Sequence, residues 1–130
     1  MLTMGRYGTR DLQRAKTFYD AIAPLLGAVR TAERPDAIVY KGPGGGVFIV
    51  GKPFQGEAAA GNGTQMGLAA PNRAAVDAVH AKALELGGKC EGPPGVRGPD
   101  PNDPNGFYAA YFRDLDGNKL MAFHMPQAAG

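Results

Sequence analysis

An internal repeat constrains the fold of this chain more than any single motif does. A strand-like run at residues 2–8 leads into an amphipathic helix at 11–27, and a second run at 64–70 leads into a helix at 72–88. The two helical segments have the same length, and the second begins 61 residues after the first. We therefore predict two similar modules that curl around a shared cavity, and we expect the functional site in that cavity.

Length and charge limit the class of protein. A chain of 130 residues has the usual size of one domain, 1–130, which we divide into module 1 at about 1–58 and module 2 at about 63–125. The 14 basic and 12 acidic residues form no basic run, so the expected partner is neither nucleic acid nor an anionic membrane. The chain has one cysteine, no leader pattern and no membrane-length apolar run. We predict a cytoplasmic protein whose partner is a small molecule.

Both predicted helices have capping residues and an apolar face. Asp11 and Asn72 are suited to the N-cap positions, and Gly27 is suited to end the first helix. Apolar residues spaced three and four apart give each helix one face that packs on a sheet. Pro24 is expected to kink or end the first helix, because proline has no backbone N–H to donate.

Short strand-like runs follow each helix. They lie at 28–31, 37–41, 47–51, 89–91, 107–113 and 119–124. The last two form a hairpin through the turn at 114–118, which has strong turn chemistry. Residues 52–63 are interpreted as the linker between modules. The Pro/Gly-rich segment 92–106 is predicted to be a lid, because loops of that length are usually functional or mobile.

The closing hairpin carries the most specific resemblance. Tyr108 through Phe123 read as an aromatic strand, an Asp-x-Asp-Gly-Asn turn and an apolar strand, with Leu115 where relatives usually have proline. Further matching residues are Asp11-Leu12, Phe18-Tyr19, Gly63-Thr64 and the helical run 74–80. The chain resembles the vicinal oxygen chelate superfamily, which includes glyoxalase I, extradiol dioxygenases, fosfomycin resistance proteins and bleomycin-binding proteins. The resemblance implies the α+β glyoxalase-like fold, in which two βαβββ modules form a cupped mixed sheet around a cavity, commonly in a homodimer.

The resemblance also implies where a metal would bind. In metal-dependent relatives the ligands come from the first strand of each module and from the last strand, and those positions here are Met4, Gln65 and Met121. Thioether sulfur is a soft ligand that suits hard or borderline divalent ions poorly, and a neutral glutamine brings no charge. We predict no metal and no cofactor at this site.

Strand alternation suggests which side chains face the cavity. Met66, Leu68 and Ala70 share one face of their strand, which leaves Gln65 on the other. The predicted ligand-binding residues are Met4, Arg6, Phe48, Gln65, Tyr108, Met121 and Phe123. Plain core packing is an alternative for the methionine and phenylalanine residues. Arg6 is suited either to a carboxylate or phosphate ligand or to an acid at the sheet rim, and Tyr108 either to hydroxyl donation in the cavity or to ordinary packing.

The remaining chemically notable residues receive structural interpretations. His80 and His124 are expected to serve packing or terminal contacts, and Cys90 is expected to be a small buried side chain with no histidine partner. Asp114 and Asp116 resemble a fragment of a calcium loop, but the other ligands are missing and a hairpin turn explains them better.

Two functions fit these observations. The first is a metal-free protein that binds a small amphipathic molecule, similar to the bleomycin-binding branch. The alternative is a glyoxalase-like lyase or isomerase, or a dioxygenase-related enzyme, in which Gln65 or Tyr108 polarises the substrate, or Tyr108 acts as an acid, in place of a metal. The missing metal ligands favour binding, because no acid and base pair is evident around the pocket positions.

Overall fold

The computed structural model describes residues 1–126, and residues 127–130 of the predicted domain lie outside that range. In chain order the elements are β1 (Met4–Gly8), α1 (Leu12–Ile22), a 3₁₀ helix (Ala23–Leu26), β2 (Val29–Glu33), β3 (Ala37–Lys41), β4 (Val47–Gly51), β5 (Met66–Ala69), α2 (Arg73–Glu85), β6 (Lys89–Val96), β7 (Tyr108–Arg113) and β8 (Lys119–His124). The predicted order of one strand, one helix and three strands occurs twice.

The strands form two four-stranded sheets. Sheet 1 has the order β1-β4-β3-β2, and sheet 2 has the corresponding order β5-β8-β7-β6. The β1–β4 and β5–β8 pairs are parallel, and the other pairs are antiparallel. The predicted α+β fold of paired βαβββ modules with mixed sheets is confirmed.

The helix boundaries follow from capping and proline chemistry. The Asp11 side chain accepts a hydrogen bond from the Arg14 N–H at 3.1 Å, and Asn72 accepts one from Ala75 at 2.8 Å. Helix α1 ends at Ile22 and the chain continues as the 3₁₀ helix, within which Pro24 lies. Gly27 then ends this segment with φ of 70°, a left-handed conformation that glycine adopts without steric cost.

Strand β6 extends further than predicted and shortens the proposed lid. It runs through Pro93 and Pro94 as far as Val96, with register shifts on both sides of Gly92. An edge strand tolerates proline because one of its sides makes no ladder hydrogen bonds. The loop that follows is held to module 2 by Arg73, which donates to the Asp103 carbonyl at 2.7 Å.

The buried residues of both modules form one hydrophobic cluster. Helix α1 contacts α2, and the ring of Phe18 on α1 lies 6.4 Å from that of Phe112 on β7. Each sheet therefore turns its helix-covered face toward a core that it shares with the other sheet. Within residues 1–126, no helix is long and apolar enough to span a membrane.

The turn of the closing hairpin also joins the two modules. The carboxylate of Asp114 accepts a hydrogen bond from the Tyr19 hydroxyl at 2.5 Å, and Asp116 accepts one from the Thr9 hydroxyl at 2.6 Å. The side chain of Asn118 donates to the Gly8 carbonyl at 2.9 Å. Burial disfavours ionised Asp116, but hydrogen bonds from Thr9 and Arg10 outweigh that effect and hold its pKa below the ordinary value. The predicted hairpin turn is thus also a buried polar link between β8 and module 1.

Candidate functional site

Each sheet has a helix-covered face and an uncovered face, and successive side chains along every strand point to one face and then the other. The covered faces carry fully buried side chains such as Val50 and Leu120. Most side chains on the uncovered faces are exposed or half-buried, with the small Ala37 and Ala109 as buried exceptions. Five of the predicted site residues lie on uncovered faces: Met4, Arg6, Gln65, Met121 and Phe123. The other two, Phe48 and Tyr108, lie on covered faces, so the seven side chains do not form one cluster.

A cavity of about 510 Å³ lies where module 1 approaches β5. Its wall combines the N-terminal segment and β1, the α1 and 3₁₀ helices, β3 and β4 with the turn between them, and β5. The lining residues are Leu2, Thr3, Met4, Gly5, Tyr19, Ile22, Ala23, Leu26, Ala28, Tyr40, Gly42, Pro43, Gly44, Gly46, Val47, Phe48, Gln65, Met66, Gly67, Leu68 and Ala69. The cavity is therefore shared by both modules, and Met4 and Gln65 both contribute to it, as does Phe48.

The cavity is apolar and has an aromatic wall. The ring centroid of Phe48 lies 4.8 Å from that of Tyr19 and 6.4 Å from that of Tyr40. Among residues 1–126, no charged side chain lines it. Polar groups are confined to the Gln65 amide, the Thr3 hydroxyl, the two tyrosine hydroxyls and backbone atoms, which suits an apolar ligand with few polar groups.

Both tyrosine hydroxyls of this wall are already hydrogen-bonded. Tyr19 donates to Asp114 at 2.5 Å, and Tyr40 donates to Asp20 at 2.8 Å. Burial and the neighbouring carboxylates raise the pKa of both phenols. Both side chains therefore remain neutral, and a ligand in the cavity would contact their aromatic rings rather than free hydroxyl groups.

The residues at the metal-ligand positions that the resemblance implies do not fit a hard or borderline divalent ion. The Gln65 amide nitrogen lies 3.9 Å from the Met121 sulfur, and Met4 supplies a second thioether. None of the three carries a negative charge. In the described part of the chain, no group of three or more His, Cys, Asp or Glu side chains is placed to hold a metal ion.

Arg6 lies on the uncovered face of β1 and does not line the cavity. Its guanidinium donates to the Lys52 carbonyl at 2.7 Å. Arg6 therefore braces the start of the linker, and its observed partner is a backbone carbonyl rather than the acid that the sequence suggested.

Tyr108 lies on the covered face of β7, with Ala110 and Phe112, and faces α2. Its hydroxyl donates to Asp77 at 2.6 Å, and the Arg73 guanidinium lies 4.9 Å from its ring centroid. The hydrogen bond to the Asp77 carboxylate raises the pKa of Tyr108. Tyr108 is thus outside the cavity, and the ordinary packing interpretation describes its position.

Met121 and Phe123 form an apolar surface on the uncovered face of sheet 2. A Cβ atom at Gly67 would lie 3.1 Å from both side chains, so glycine at this position allows them to pack closely over β5. The Phe123 ring stacks on Phe107 with a centroid distance of 5.5 Å. These residues adjoin Gln65 but lie outside the cavity wall.

Two further predictions concern residues outside the cavity. His124 makes the expected terminal contact, with its Nδ1 atom 3.1 Å from the Ala70 carbonyl. The prediction for Cys90 was wrong, because this residue is exposed and its sulfur lies 3.2 Å from Nε2 of buried His80. Cys90 stays accessible because β6 is an edge strand, although its side chain turns toward α2.

The segment predicted as a lid does not line the cavity. The wall instead includes the turn between β3 and β4, residues 42–46, together with the face of α1 and the 3₁₀ helix that carries Ile22 and Leu26. The helix periodicity identified that face as buried. It gave no signal that part of the face borders a cavity rather than a filled core.

Comparison with known proteins agrees with this architecture. The family model described as Glyoxalase/Bleomycin resistance protein/Dioxygenase superfamily matches residues 4–122. A solved structure of a glyoxalase/bleomycin resistance protein from Albidiferax ferrireducens T118 is 37% identical, with a TM-score of 0.85. The match covers 97% of this chain and 99% of that chain. No curated protein matches the sequence.

Structures of lower identity show the fold alone. A glyoxalase-related enzyme from Fulvimarina pelagi is 16% identical with a TM-score of 0.72, over 97% of this chain and 88% of its own. A glyoxalase/bleomycin resistance protein/dioxygenase family enzyme from Burkholderia phytofirmans PsJN is 14% identical with a TM-score of 0.69, over 95% of this chain and 98% of its own. On the family match and the similarity to the Albidiferax protein, this chain belongs to the Glyoxalase/Bleomycin resistance protein/Dioxygenase superfamily.

Proposed function

We propose that this protein binds a small amphipathic molecule in the cavity between module 1 and β5. The observation that carries the proposal is the cavity itself, whose volume of about 510 Å³ lies within the range of small-molecule sites. Its apolar wall would bury the apolar part of a ligand, at roughly 25 cal/mol for each Å² removed from water.

The residues at the cavity edge suggest how such a ligand is oriented. Gln65 has an amide that both donates and accepts hydrogen bonds, so it suits a carbonyl, amide or hydroxyl group on the ligand. Met4 and Met66 have flexible thioether side chains that adapt to ligand shape. The ligand would thus enter with its apolar part toward Phe48 and leave its polar part beside Gln65.

The position of Tyr108 weakens the alternative of a lyase or isomerase. Its hydroxyl is bound to Asp77 on α2 and Tyr108 does not line the cavity, so it is not placed to protonate a molecule there. Gln65 alone would supply polarisation without an acid and base pair. Binding without turnover is therefore the function that we propose.

We further propose that the protein is a homodimer in which a second copy packs on the uncovered sheet faces. Apolar side chains there are accessible: Met4 is 56% exposed and Val29 is 61% exposed, and Ile49 and Phe123 are half-buried. Accessible apolar side chains on a sheet face are typical of interaction sites. Since Met4 and Gln65 lie at the cavity edge, the partner would also help to enclose the ligand.

The dimer proposal is tested by sedimentation equilibrium of the intact chain. Ile49→Lys places a charge in the middle of the uncovered face of sheet 1, and we expect it to shift the protein to monomer. Ala74→Lys on the exposed side of α2 is the matched control and should leave the mass unchanged. A wild-type protein that is monomeric at high concentration would contradict the proposal.

A cytoplasmic location is part of the same proposal. The only cysteine, Cys90, has no second cysteine with which to form an intramolecular disulfide, and this suits a reducing compartment. A small molecule, rather than nucleic acid or a membrane, is the proposed partner.

The binding proposal is tested with N-phenyl-1-naphthylamine, a neutral apolar fluorophore that becomes brighter when it leaves water. We expect saturable binding to the wild-type protein and weaker binding to Ala28→Leu, because a larger side chain at Ala28 occupies part of the cavity. Ala74→Leu makes the same change on the exposed side of α2 and should bind as the wild type does. No saturable binding by the wild type, or undiminished binding by correctly folded Ala28→Leu, would refute the proposal.

A further inference from the structure

Two cations lie against one aromatic ring on the uncovered face of sheet 2. The Lys119 ammonium nitrogen is 5.4 Å from the ring centroid of Tyr111, and the Arg97 guanidinium carbon is 5.2 Å from the same centroid. The aromatic ring attracts each cation, but the two like charges repel each other. An anion bound beside them would relieve that repulsion.

Neither cation forms a salt bridge within residues 1–126, although the pKa of nearby Glu91 is lowered by the Arg113 hydrogen bond and, to a smaller extent, by the charge of Lys119. The salt bridges of that part of the chain involve neither Lys119 nor Arg97. The neighbouring acid, Glu91, is paired with Arg113 at 2.8 Å. Arg97 donates to the carbonyls of Pro93 and Ala109, which positions its guanidinium without removing its charge.

This cationic cluster is continuous with the edge of the cavity. Gln65 lines the cavity, and its amide nitrogen lies 3.9 Å from the sulfur of Met121. Met121 is the direct cross-strand partner of Tyr111, and Lys119 is two residues from Met121 on the same strand face. In the parallel register of β5 and β8, where Met66 lies opposite Leu120, Gln65 falls opposite Lys119, so one strand spacing of about 5 Å separates their backbones.

We infer that the ligand of this protein is an amphipathic anion, a carboxylate or a phosphate, whose charged group binds Lys119 and Arg97 while its apolar part occupies the cavity. This inference rests on the proposed function. Lysine and arginine are the side chains that bind such groups through charge-assisted hydrogen bonds. The apolar surface of Met121 between the cluster and Gln65 suits the methylene groups that would connect the two parts.

The test is displacement of N-phenyl-1-naphthylamine by three ligands with the same eight-carbon chain: octan-1-ol, octanoate and octyl phosphate. We expect at least one of the two anions to bind the wild-type protein about tenfold more tightly than the alcohol does, which corresponds to about 1.4 kcal/mol. Raising the salt concentration should reduce that advantage, because dissolved ions screen the attraction between the cluster and the anion. The comparison of octanoate with octyl phosphate identifies the preferred group.

Lys119→Gln is the variant that tests the role of the cluster. It keeps the backbone carbonyl that accepts a hydrogen bond from the Tyr7 hydroxyl at 2.6 Å. It should remove most of the advantage of the anion and leave octan-1-ol binding unchanged. Lys52→Gln removes the same charge from the linker and should retain the advantage.

Equal affinities for the alcohol and both anions, or an unchanged anion advantage in Lys119→Gln, would overturn the anion inference and leave the cavity proposal standing. Failure of all three ligands to displace the probe at millimolar concentration would overturn the proposed function, and this inference with it.

Discussion

The two modules share one order of elements but differ in how the helix meets the sheet. In module 2, Val76, Val79 and Ala83 on α2 are fully buried, and these small side chains let the helix pack closely on β6, β7 and β8. In module 1, α1 and the 3₁₀ helix meet the large aromatic residues Tyr40 and Phe48, and a cavity remains. A repeat thus preserves the topology while side-chain volume decides which copy is filled and which can hold a ligand.

The largest expected effect is on the filled module. Phe112→Ala removes a fully buried ring of β7 that lies beside Phe18 of α1, and we expect it to lower the free energy of unfolding by about 3–5 kcal/mol. Urea denaturation measures this change. Phe54→Ala, at a residue that is 98% exposed, is the control and should leave stability unchanged. A small loss for Phe112→Ala would mean that module 2 is not tightly packed.

Adding side-chain volume should also distinguish the two modules, because a larger side chain fits at the cavity but not in the filled core. Ala83→Leu inserts a larger side chain into the fully buried surface of α2, and we expect a loss of about 1–3 kcal/mol in unfolding free energy. Ala28→Leu inserts the same side chain at the cavity and should cost less stability while it weakens probe binding. Equal destabilisation of the two variants in urea would argue against a real difference in packing.

The link between the modules should depend on pH. Asp116 has a pKa below its ordinary value in the folded protein, so its stabilising effect is complete above the pKa of the unfolded chain and is lost as pH falls through the folded pKa. Asp116→Asn should therefore cost about 1–3 kcal/mol at pH 7 and much less in strong acid. Chemical denaturation of both proteins across this pH range measures the difference, and a constant difference at all pH values would contradict the prediction.

The smallest expected effect concerns Tyr108. Tyr108→Phe removes the hydroxyl that donates to Asp77, a partly exposed bond, and should cost about 0.5–1.5 kcal/mol in unfolding free energy. Binding of the fluorescent probe should not change, because Tyr108 lies outside the cavity wall. A large loss of probe binding would restore Tyr108 to the site.

The repeat, the capping residues and the apolar periodicity were sufficient to predict the fold. Asp11 and Asn72 mark the helix starts, and Pro24 with Gly27 marks the end of the first helical segment. These signals are local, since each depends on the chemistry of a few neighbouring residues. The fold could therefore be predicted from the sequence almost completely.

The candidate site could be predicted only in part. Met4 and Gln65 were placed at a shared cavity by the repeat, but Tyr108 was assigned to the wrong face because the start of the strand gave no fixed reference for its alternation. The contact between His80 and Cys90 depends on how α2 crosses β6, which no local pattern specifies. The cavity itself depends on the volumes of side chains from both modules, and only the packed structure shows whether they fill the space.

The central claim, that the cavity between module 1 and β5 is the binding site, is tested most directly by methionine methyl NMR during titration with N-phenyl-1-naphthylamine. The chain has five methionines, each a separate probe of position. We predict shifts for Met4 and Met66, which line the cavity, and unchanged signals for Met1, Met121 and Met125. Shifts at Met121 with none at Met66 would place the ligand on the uncovered face of sheet 2 and contradict the account.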